Sequence, residues 1–133
     1  KYIQERIPGL NFRPMKEKKS FKNICYPGIF LYYQPHQLSS KQYIESVCKT
    51  IDKDGASIII DEPVNEGETL KLIIVRERKI KSNTIREDIH LNADVKNIKD
   101  GPVKGTYEAY IVFQHLFQSQ RAFINKILSQ EKQ

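Results

Sequence analysis

Two polar segments of this chain have residue types that could bind a phosphate-rich ligand. The first is a basic cluster, Lys16-Glu-Lys-Lys-Ser-Phe-Lys22, and about thirty residues later comes an acidic turn, Thr50-Ile-Asp-Lys-Asp-Gly55. Ammonium groups attract phosphate, and the hydroxyl, carboxylate and backbone groups of a tight turn form hydrogen bonds. The turn lies between two apolar segments that favour strands. The pattern therefore predicts a ligand that is held on the surface of a β-barrel.

Other kinds of site have little support in the residues. Thr50 to Asp61 partly match a calcium-binding loop, but such a loop needs a helix on each side and a glutamate at its end. His36, His90 and His115 have no metal-ligand spacing. The chain has neither a Gly-rich phosphate loop nor a nucleophile elbow. We therefore expect no metal, no cofactor and no catalytic residue, and we predict that the chain is not an enzyme.

The composition is that of one ordinary domain with surplus positive charge. The chain has 133 residues, 39% of them hydrophobic, and its 22 basic and 16 acidic residues give a net charge of +6. This charge favours anionic partners without choosing among them. Residues 1–15 contain two prolines and Gly9, which is typical of an N-terminal arm or interdomain linker, and 16–133 would form the domain.

The location of the chain follows from its cysteines and its apolar runs. Cys25 and Cys48 lie in unrelated contexts, and we expect both to be reduced thiols. No apolar run reaches the ~18 residues that a membrane-spanning helix needs. We therefore expect a cytoplasmic protein without membrane insertion.

Short segments of alternating apolar residues predict a mainly β fold, with Gly- and Pro-containing turns between them. The predicted strands are Ile29–Tyr33, Tyr43–Thr50, Ala56–Asp61, Thr69–Val75, Glu77–Ile80, Leu91–Ile98 and Thr106–Phe113. Six or seven such strands favour a closed barrel or a sandwich. Helical spacing then predicts one amphipathic helix over roughly Ser119 to Glu131, with its apolar face covered either by the barrel or by a partner protein.

This order of elements resembles the PilZ domain, a six-stranded antiparallel β-barrel with a C-terminal α-helix that acts as a bacterial receptor for cyclic di-GMP. The resemblance runs from about Lys16 to Lys132. It rests on the strand–turn–strand at Val47–Ile60, the turn Glu62-Pro-Val-Asn-Glu-Gly-Glu68 and the closing strand Tyr107-Glu-Ala-Tyr-Ile-Val-Phe-Gln-His-Leu116. It implies a bacterial signalling domain with cyclic di-GMP as the regulatory ligand.

The two family motifs are altered in this chain. PilZ domains carry RxxxR before the first strand and [D/N]xSxxG at the first barrel turn. The best matches are Lys18-Lys-Ser-Phe-Lys22 and Thr50-Ile-Asp-Lys-Asp-Gly55, in which only Gly55 keeps the family residue. Lysine lacks the planar fork with which arginine binds guanine, a contact worth ~1–3 kcal/mol of discrimination. Asp52 places a carboxylate where the family has serine. The resemblance thus implies weak or absent binding of cyclic di-GMP.

Arginine residues occur elsewhere in the chain. Arg6 and Arg13 lie in the arm, from which they could reach the barrel and replace the missing forks. Arg76, Arg78 and Lys79 form a second basic cluster on a predicted strand, where alternation puts Arg76 and Arg78 on one face and Lys79 on the other. We interpret this second cluster as charge that protects a solvated edge strand.

Three functions remain open. The first is a regulatory domain that binds a protein partner through the Leu116–Leu128 helix and the basic face from Lys16 to Lys22. The second is a functional cyclic di-GMP receptor, with the ligand bound by Lys18, Lys22, Thr50, Asp52 and Gly55 and with help from Arg13. The third is a barrel that binds single-stranded nucleic acid by stacking on aromatic residues. We rank nucleic-acid binding below the others, because the aromatic residues lie mostly where strands need packing.

Overall fold

The computed structural model of the chain describes residues 11–16, 28–35 and 42–129. These residues form β1 (Asn11–Arg13), β2 (Ile29–Gln34), β3 (Gln42–Glu45), β4 (Val47–Ile51), β5 (Gly55–Ile60), β6 (Thr69–Ile80), β7 (Asn83–Asp100), β8 (Tyr107–Phe113) and α1 (Gln118–Leu128). The strands make one sheet in the order β1-β3-β2-β6-β7-β8-β5-β4. Only the β1–β3 pair is parallel within this sheet. The predicted mainly β fold with a C-terminal helix is confirmed.

The sheet differs from the predicted six-stranded closed barrel in strand number and in closure. It has eight strands, and in the described part of the chain no ladder joins β4 to β1 at the two ends of the sheet. One extra strand is β1. The other arises because Ser46 interrupts the predicted strand Tyr43–Thr50, so that β3 pairs with β2 while β4 pairs with β5. The result is an open sheet in which the end strand β4 lies one residue from β3, the strand that pairs with β1 at the opposite end.

Ser46 is fixed at this junction by two hydrogen bonds to the same acceptor. Its backbone N–H donates to the Leu31 carbonyl oxygen at 3.1 Å, and its hydroxyl donates to that oxygen at 2.8 Å. Ser46 is 7% exposed, so both donors need such a partner. The sheet must therefore curl to bring β3 and β4 together at Ser46.

The core lies inside this curl because inward-facing residues alternate along the strands. Side chains that are at most 1% exposed fill it: Leu31, Tyr33, Ile44, Ile58, Ile60, Leu72, Ile74, Ile111, Ile124 and Ile127. Burial of a large apolar side chain stabilises by about 1.5–3 kcal/mol. This core supports the rigid strands on which the polar groups of the outer surface are positioned.

Helix α1 packs its apolar face on the same core. Its buried residues are Phe123, Ile124 and Ile127, so the chain itself covers the apolar stripe that sequence analysis assigned to either the barrel or a partner. Gln120 also fastens the helix to β7, because its side-chain amide donates to the His90 carbonyl oxygen at 2.8 Å. The predicted end at Glu131 lies outside the described residues. No helix in the described residues has the length and apolar character to span a bilayer.

A smaller aromatic cluster lies on the outer face of the sheet. The Phe12 ring of β1 meets the Tyr32 ring edge-on at 5.0 Å between centroids and stacks on Tyr43 at 5.9 Å. Ile73 and Val75 of β6 complete the buried cluster. Part of the predicted N-terminal arm, residues 11–13, is thus a strand of the sheet.

Candidate functional site

The turn between β4 and β5 is organised by the Asp52 carboxylate. Its Oδ1 atom accepts hydrogen bonds from the backbone N–H groups of Asp54 and Gly55, both at 2.8 Å. The Asp52 N–H donates in turn to the Gly55 carbonyl oxygen at 2.8 Å. Aspartate commonly stabilises turns by bonding to the backbone two or three residues ahead. Asp52 therefore has a structural task in the turn, which its position in the motif did not reveal.

Gly55 follows this turn at a place where the backbone of β8 approaches closely. It pairs with Val112, and a Cβ atom at position 55 would overlap the carbonyl oxygen of Ile111. The Asp54 carbonyl oxygen accepts a hydrogen bond from the Phe113 N–H at 2.8 Å, which holds the turn against the end of β8. Packing alone therefore explains why glycine is present at position 55.

Thr50 begins a row of polar side chains that crosses four strands of the outer surface. In the ladders, Thr50 lies opposite Ser57, Ser57 opposite Tyr110, and Tyr110 opposite Asn97. Opposite residues of antiparallel strands share a face, so these four residues form one polar row. Thr50 and Asn97 are exposed and the other two are half-buried. The row could form hydrogen bonds with a ligand placed beside the turn.

Beside the polar row lies a charged group that sequence analysis missed. The Glu108 carboxylate, 14% exposed, contacts Lys49 Nζ at 3.1 Å and Lys99 Nζ at 4.0 Å. The outward position of Glu108 follows from the alternation along β8, but its partners come from two other strands. The two lysines and one carboxylate together add positive charge near Thr50, and none of the three belongs to the family motifs.

The space next to the turn is small. A cavity of about 180 Å³ lies between the turn and the helix, lined by Lys53, Asp54, Arg121, Ile124 and Asn125. Pockets for small molecules usually have about 300–1,000 Å³. Among the described residues, this cavity is therefore smaller than a usual small-molecule pocket.

Arg13 lies away from this turn and is already paired. Its guanidinium contacts Asp61 through NH2 at 2.8 Å and NH1 at 3.3 Å, and Asp61 also accepts from the Lys16 N–H at 2.9 Å. The hydrogen bond to Asp61 raises the pKa of Arg13. Burial alone would raise the pKa of Asp61, but the bonds from Arg13 and Lys16 outweigh it and lower that pKa. Arg13 thus fastens the N-terminal segment to the sheet.

The distance between Arg13 and the turn follows from β5. Gly55 and Asp61 are six residues apart along an extended segment, which at ~3.3 Å per residue is about 20 Å. The structure therefore brings Thr50, Asp52 and Gly55 together and places Arg13 near the other end of the strand. The remaining predicted ligand residues, Lys18 and Lys22, lie outside the described residues.

A larger cleft lies near the start of α1. Its volume is about 590 Å³, and its lining includes Phe117, His115, Tyr43 and Lys71. Phe117 is 68% exposed, and its ring lies edge-on to the His115 ring at 6.2 Å. The described residues that line the cleft include no carboxylate. An exposed aromatic ring beside a cleft that is lined by Lys71 and polar side chains is suited to binding another molecule.

Comparison with solved structures finds this fold in several chains, including the following two. The Bacillus subtilis inhibitor of motility MotI/DgrA matches with a TM-score of 0.54 and 17% sequence identity, over 81% of this chain and 50% of that one. MrkH from K. pneumonia in its apo state matches with a TM-score of 0.57 and 16% identity, over 81% of this chain and 48% of that one. The chain thus spans about half the length of each. No family model and no curated protein matches the sequence.

Proposed function

We propose, from the PilZ-like fold that these structural matches support, that the chain is a bacterial signalling domain with weak or lost binding of cyclic di-GMP. In this proposal it acts as a regulatory module through contacts with a protein partner and has no catalytic role. The observation that carries the proposal is the use of the Asp52 carboxylate within its own turn. MotI/DgrA is named as an inhibitor of motility, and a regulatory role agrees with that name.

The chemistry of the turn supports weak nucleotide binding. Where the family has a serine that can donate a hydrogen bond, the Asp52 carboxylate only accepts, and its Oδ1 atom already has two backbone donors. A carboxylate near a ligand phosphate also repels it by about 1 kcal/mol or more. Arg13 is paired with Asp61 and would have to break that pair to reach a guanine.

The other side of the proposal, a protein contact, is supported by the cleft beside Phe117. Phe123, Ile124 and Ile127 of α1 are buried in the core and Leu128 packs against it, so the apolar stripe of the helix is already covered. Phe117 instead presents its ring to solvent at the entrance of a cleft with Lys71 and two imidazoles. Aromatic side chains in such positions frequently dominate binding energies between proteins. We therefore place the partner contact at this cleft.

The nucleotide part is tested by calorimetric titration with cyclic di-GMP of the native chain and of a variant carrying Lys18→Arg, Lys22→Arg and Asp52→Ser. We expect no binding at micromolar strength by the native chain. Two restored forks are worth ~2–6 kcal/mol, so the variant should gain about 30-fold or more in affinity. Micromolar binding by the native chain would contradict the proposal.

A matched control carries the same exchanges on exposed positions away from the turn and its polar row: Lys81→Arg, Lys104→Arg and Asp100→Ser. This control changes the net charge by the same amount without touching the motifs. It should bind as poorly as the native chain. If it gained affinity like the motif variant, the gain would come from general charge and not from the site.

The second candidate, a functional cyclic di-GMP receptor, is favoured by the polar row beside the turn. Thr50, Ser57 and Tyr110 offer three hydroxyl groups on one face, and Lys49 and Lys99 lie next to them. If the native chain binds cyclic di-GMP, Thr50→Val and Tyr110→Phe should each weaken the titrated affinity. Unchanged affinity in both variants would exclude this row as the binding surface.

The protein contact is tested with Phe117→Ser in the native background. Because Phe117 is mostly exposed and occupies the N-cap of α1, where serine is favoured, the free energy of unfolding should stay near the native value or rise by about 1 kcal/mol. Association with a partner, once one is known, should weaken by about tenfold or more, whereas the neighbouring exposed change Gln118→Ser should have little effect. Equal association by both variants would remove the cleft from the proposal.

A further inference from the structure

The hairpin of β6 and β7 extends beyond the strands on either side of it. The ladder between β2 and β6 ends at Arg76, and the ladder between β7 and β8 begins at Ala93. Between these points β6 and β7 continue to pair with each other as far as Ile80 and Asn83. The second basic cluster of the sequence therefore lies on a projecting two-stranded ribbon.

Some charges on this ribbon neutralise one another. Arg76 contacts Glu87 at 3.1 Å, and Arg86 contacts Glu77 at 3.0 Å. Arg78 reaches Glu87 only at 3.8 Å, although Glu87 already has Arg76 as its nearer partner. The interpretation of these charges as edge protection stays compatible with the ribbon, and Glu87, shared with Arg76, leaves part of the Arg78 charge unneutralised.

Next to the ribbon lies a cavity of about 350 Å³. The described residues that line it are Gly28, Glu77, Arg78, Lys79, Thr84 and Arg86. Three of these carry positive charge and one carries negative charge, so the lining has a net charge of +2 (3 − 1). In the described chain Lys79 has no ion pair. The lining is thus complementary to an anion of about two charges.

The Arg78 guanidinium has a further property that points to a ligand. Its Nε atom is buried and has no hydrogen-bond partner among the described residues. At least nine in ten buried polar groups in folded proteins are hydrogen-bonded, and an unsatisfied one costs about 1–3 kcal/mol. Nε has almost no accessible surface, so an acceptor in the cavity would remove this cost once the Arg78 side chain turns to present Nε to it.

We propose that this cavity binds the phosphoryl group of a small phosphate ester. A phosphate monoester carries about −1.5 to −2 charges near neutral pH and three acceptor oxygens, which matches the surplus charge of the lining. On binding, the Arg78 side chain would turn so that Nε and a terminal nitrogen donate in the two-pronged geometry that phosphate prefers, and Lys79 would add a point charge. The Thr84 hydroxyl supplies a further donor. A carboxylate, with one charge, would neutralise only half of the surplus.

This site is separate from the motif turn. Gly55 lies opposite Val112, which lies opposite Asp94 of β7, and Asp94 is eight residues from Arg86 along that strand. At ~3.3 Å per residue the separation is about 26 Å. Loss of cyclic di-GMP binding at the turn therefore neither requires nor excludes binding in this cavity.

The test is a nuclear magnetic resonance titration of the full chain with glycerol 3-phosphate, with glycerol and acetate as comparison ligands at constant ionic strength. We expect saturable shifts of the Gly28, Lys79 and Thr84 amide signals with glycerol 3-phosphate only. Arg78→Gln should weaken binding by about tenfold or more, since it removes charge-assisted hydrogen bonds. The exposed loop change Lys104→Gln removes the same charge elsewhere and should leave binding unchanged.

Two further variants test the proposal even if Arg78→Gln fails to fold. Arg78→Lys keeps the charge but removes the Nε donor, and Lys79→Gln changes an exposed side chain; each should weaken binding several-fold. Equal affinity in native chain, Arg78→Lys and Lys79→Gln would overturn the proposal. Equal shifts with acetate would also overturn it, because they would report general screening. If the chain bound a single-stranded oligonucleotide but showed no saturable binding of glycerol 3-phosphate, the small-ligand proposal would be overturned. The cavity would then be part of a nucleic-acid-binding surface.

Discussion

Replacement of Asp61 by asparagine should release the N-terminal segment from the sheet. The Asp61 side chain is only 4% exposed and accepts bonds from Arg13 and from the Lys16 N–H. Asparagine retains one acceptor oxygen but loses the charge and the second acceptor. A hydrogen bond to a charged group contributes about 1.5–3 kcal/mol, and Arg13 is 22% exposed, so we expect a loss of about 2–3 kcal/mol.

The effect of Asp61→Asn on the free energy of unfolding should depend on pH. The pKa of Asp61 is lowered in the folded state, so its contribution is present above the ordinary carboxyl pKa of about 3.9 and is lost as the pH falls through the folded-state value. The native chain should therefore lose stability on acidification more steeply than Asp61→Asn. The difference between the two proteins should narrow from pH 7 towards pH 3.

Urea unfolding at pH 7 and pH 3 measures both quantities. Asp100→Asn is a matched control, since Asp100 is exposed at the end of β7, and it should change the free energy of unfolding by less than about 0.5 kcal/mol. The reasoning would be refuted if Asp61→Asn were equally harmless at pH 7. A difference that stayed constant between the two pH values would show that the charge of Asp61 is not what stabilises the contact.

Three further changes test the structure elsewhere. Gly55→Ala should destabilise by at least about 3 kcal/mol in urea unfolding, because the added Cβ meets the backbone carbonyl of Ile111. Gly67→Ala, with φ of +86° and open space around it, should cost about 1–2 kcal/mol. Equal costs would be inconsistent with the close approach of the β8 backbone to Gly55. Lys81→Gly should stabilise by up to about 1 kcal/mol in the same assay, since Lys81 has φ of 58°. The pKa of Asp94 is lowered mainly by a hydrogen bond from Gln114 and to a smaller extent by one from Thr69. Gln114→Ala should therefore raise the pKa of Asp94 in a carboxyl titration by nuclear magnetic resonance. An unchanged pKa would assign the lowering to Thr69.

The strands that could be predicted from the sequence are those with one buried face. Alternation located β2, β5 and β8 to within about two residues. It failed for the outer part of β7, because Glu87 lies between Ile85 and Ile89 on the half-buried face and interrupts the apolar alternation of residues 83–90. It also failed for β1, whose three residues pair with β3 some thirty residues later. No local pattern encodes such a partner.

The residues of the candidate site also divide into those that local spacing predicts and those that it does not. Local spacing correctly grouped Thr50, Asp52 and Gly55 in one turn between two strands. It did not reveal that Asp52 bonds to its own backbone, although aspartate at such a turn often does. It placed Arg13 with the ligand, whereas the structure pairs Arg13 with Asp61, a residue 48 positions away. Long-range ion pairs depend on the completed fold and leave no periodic signal.

The junction at Ser46 has a consequence for how the chain folds. Residues 42–51 supply the end strand β4 and, near the opposite end of the sheet, β3, so neither side is complete until long-range pairs such as Tyr33 with Leu72 and Ile58 with Ala109 have formed. Such non-local pairing slows folding to the order of milliseconds to seconds. The β6–β7 hairpin, with adjacent partners, can form early, and the segment around Ser46 should dock late. Stopped-flow refolding of Ser46→Ala should then show a faster unfolding rate with a nearly unchanged folding rate.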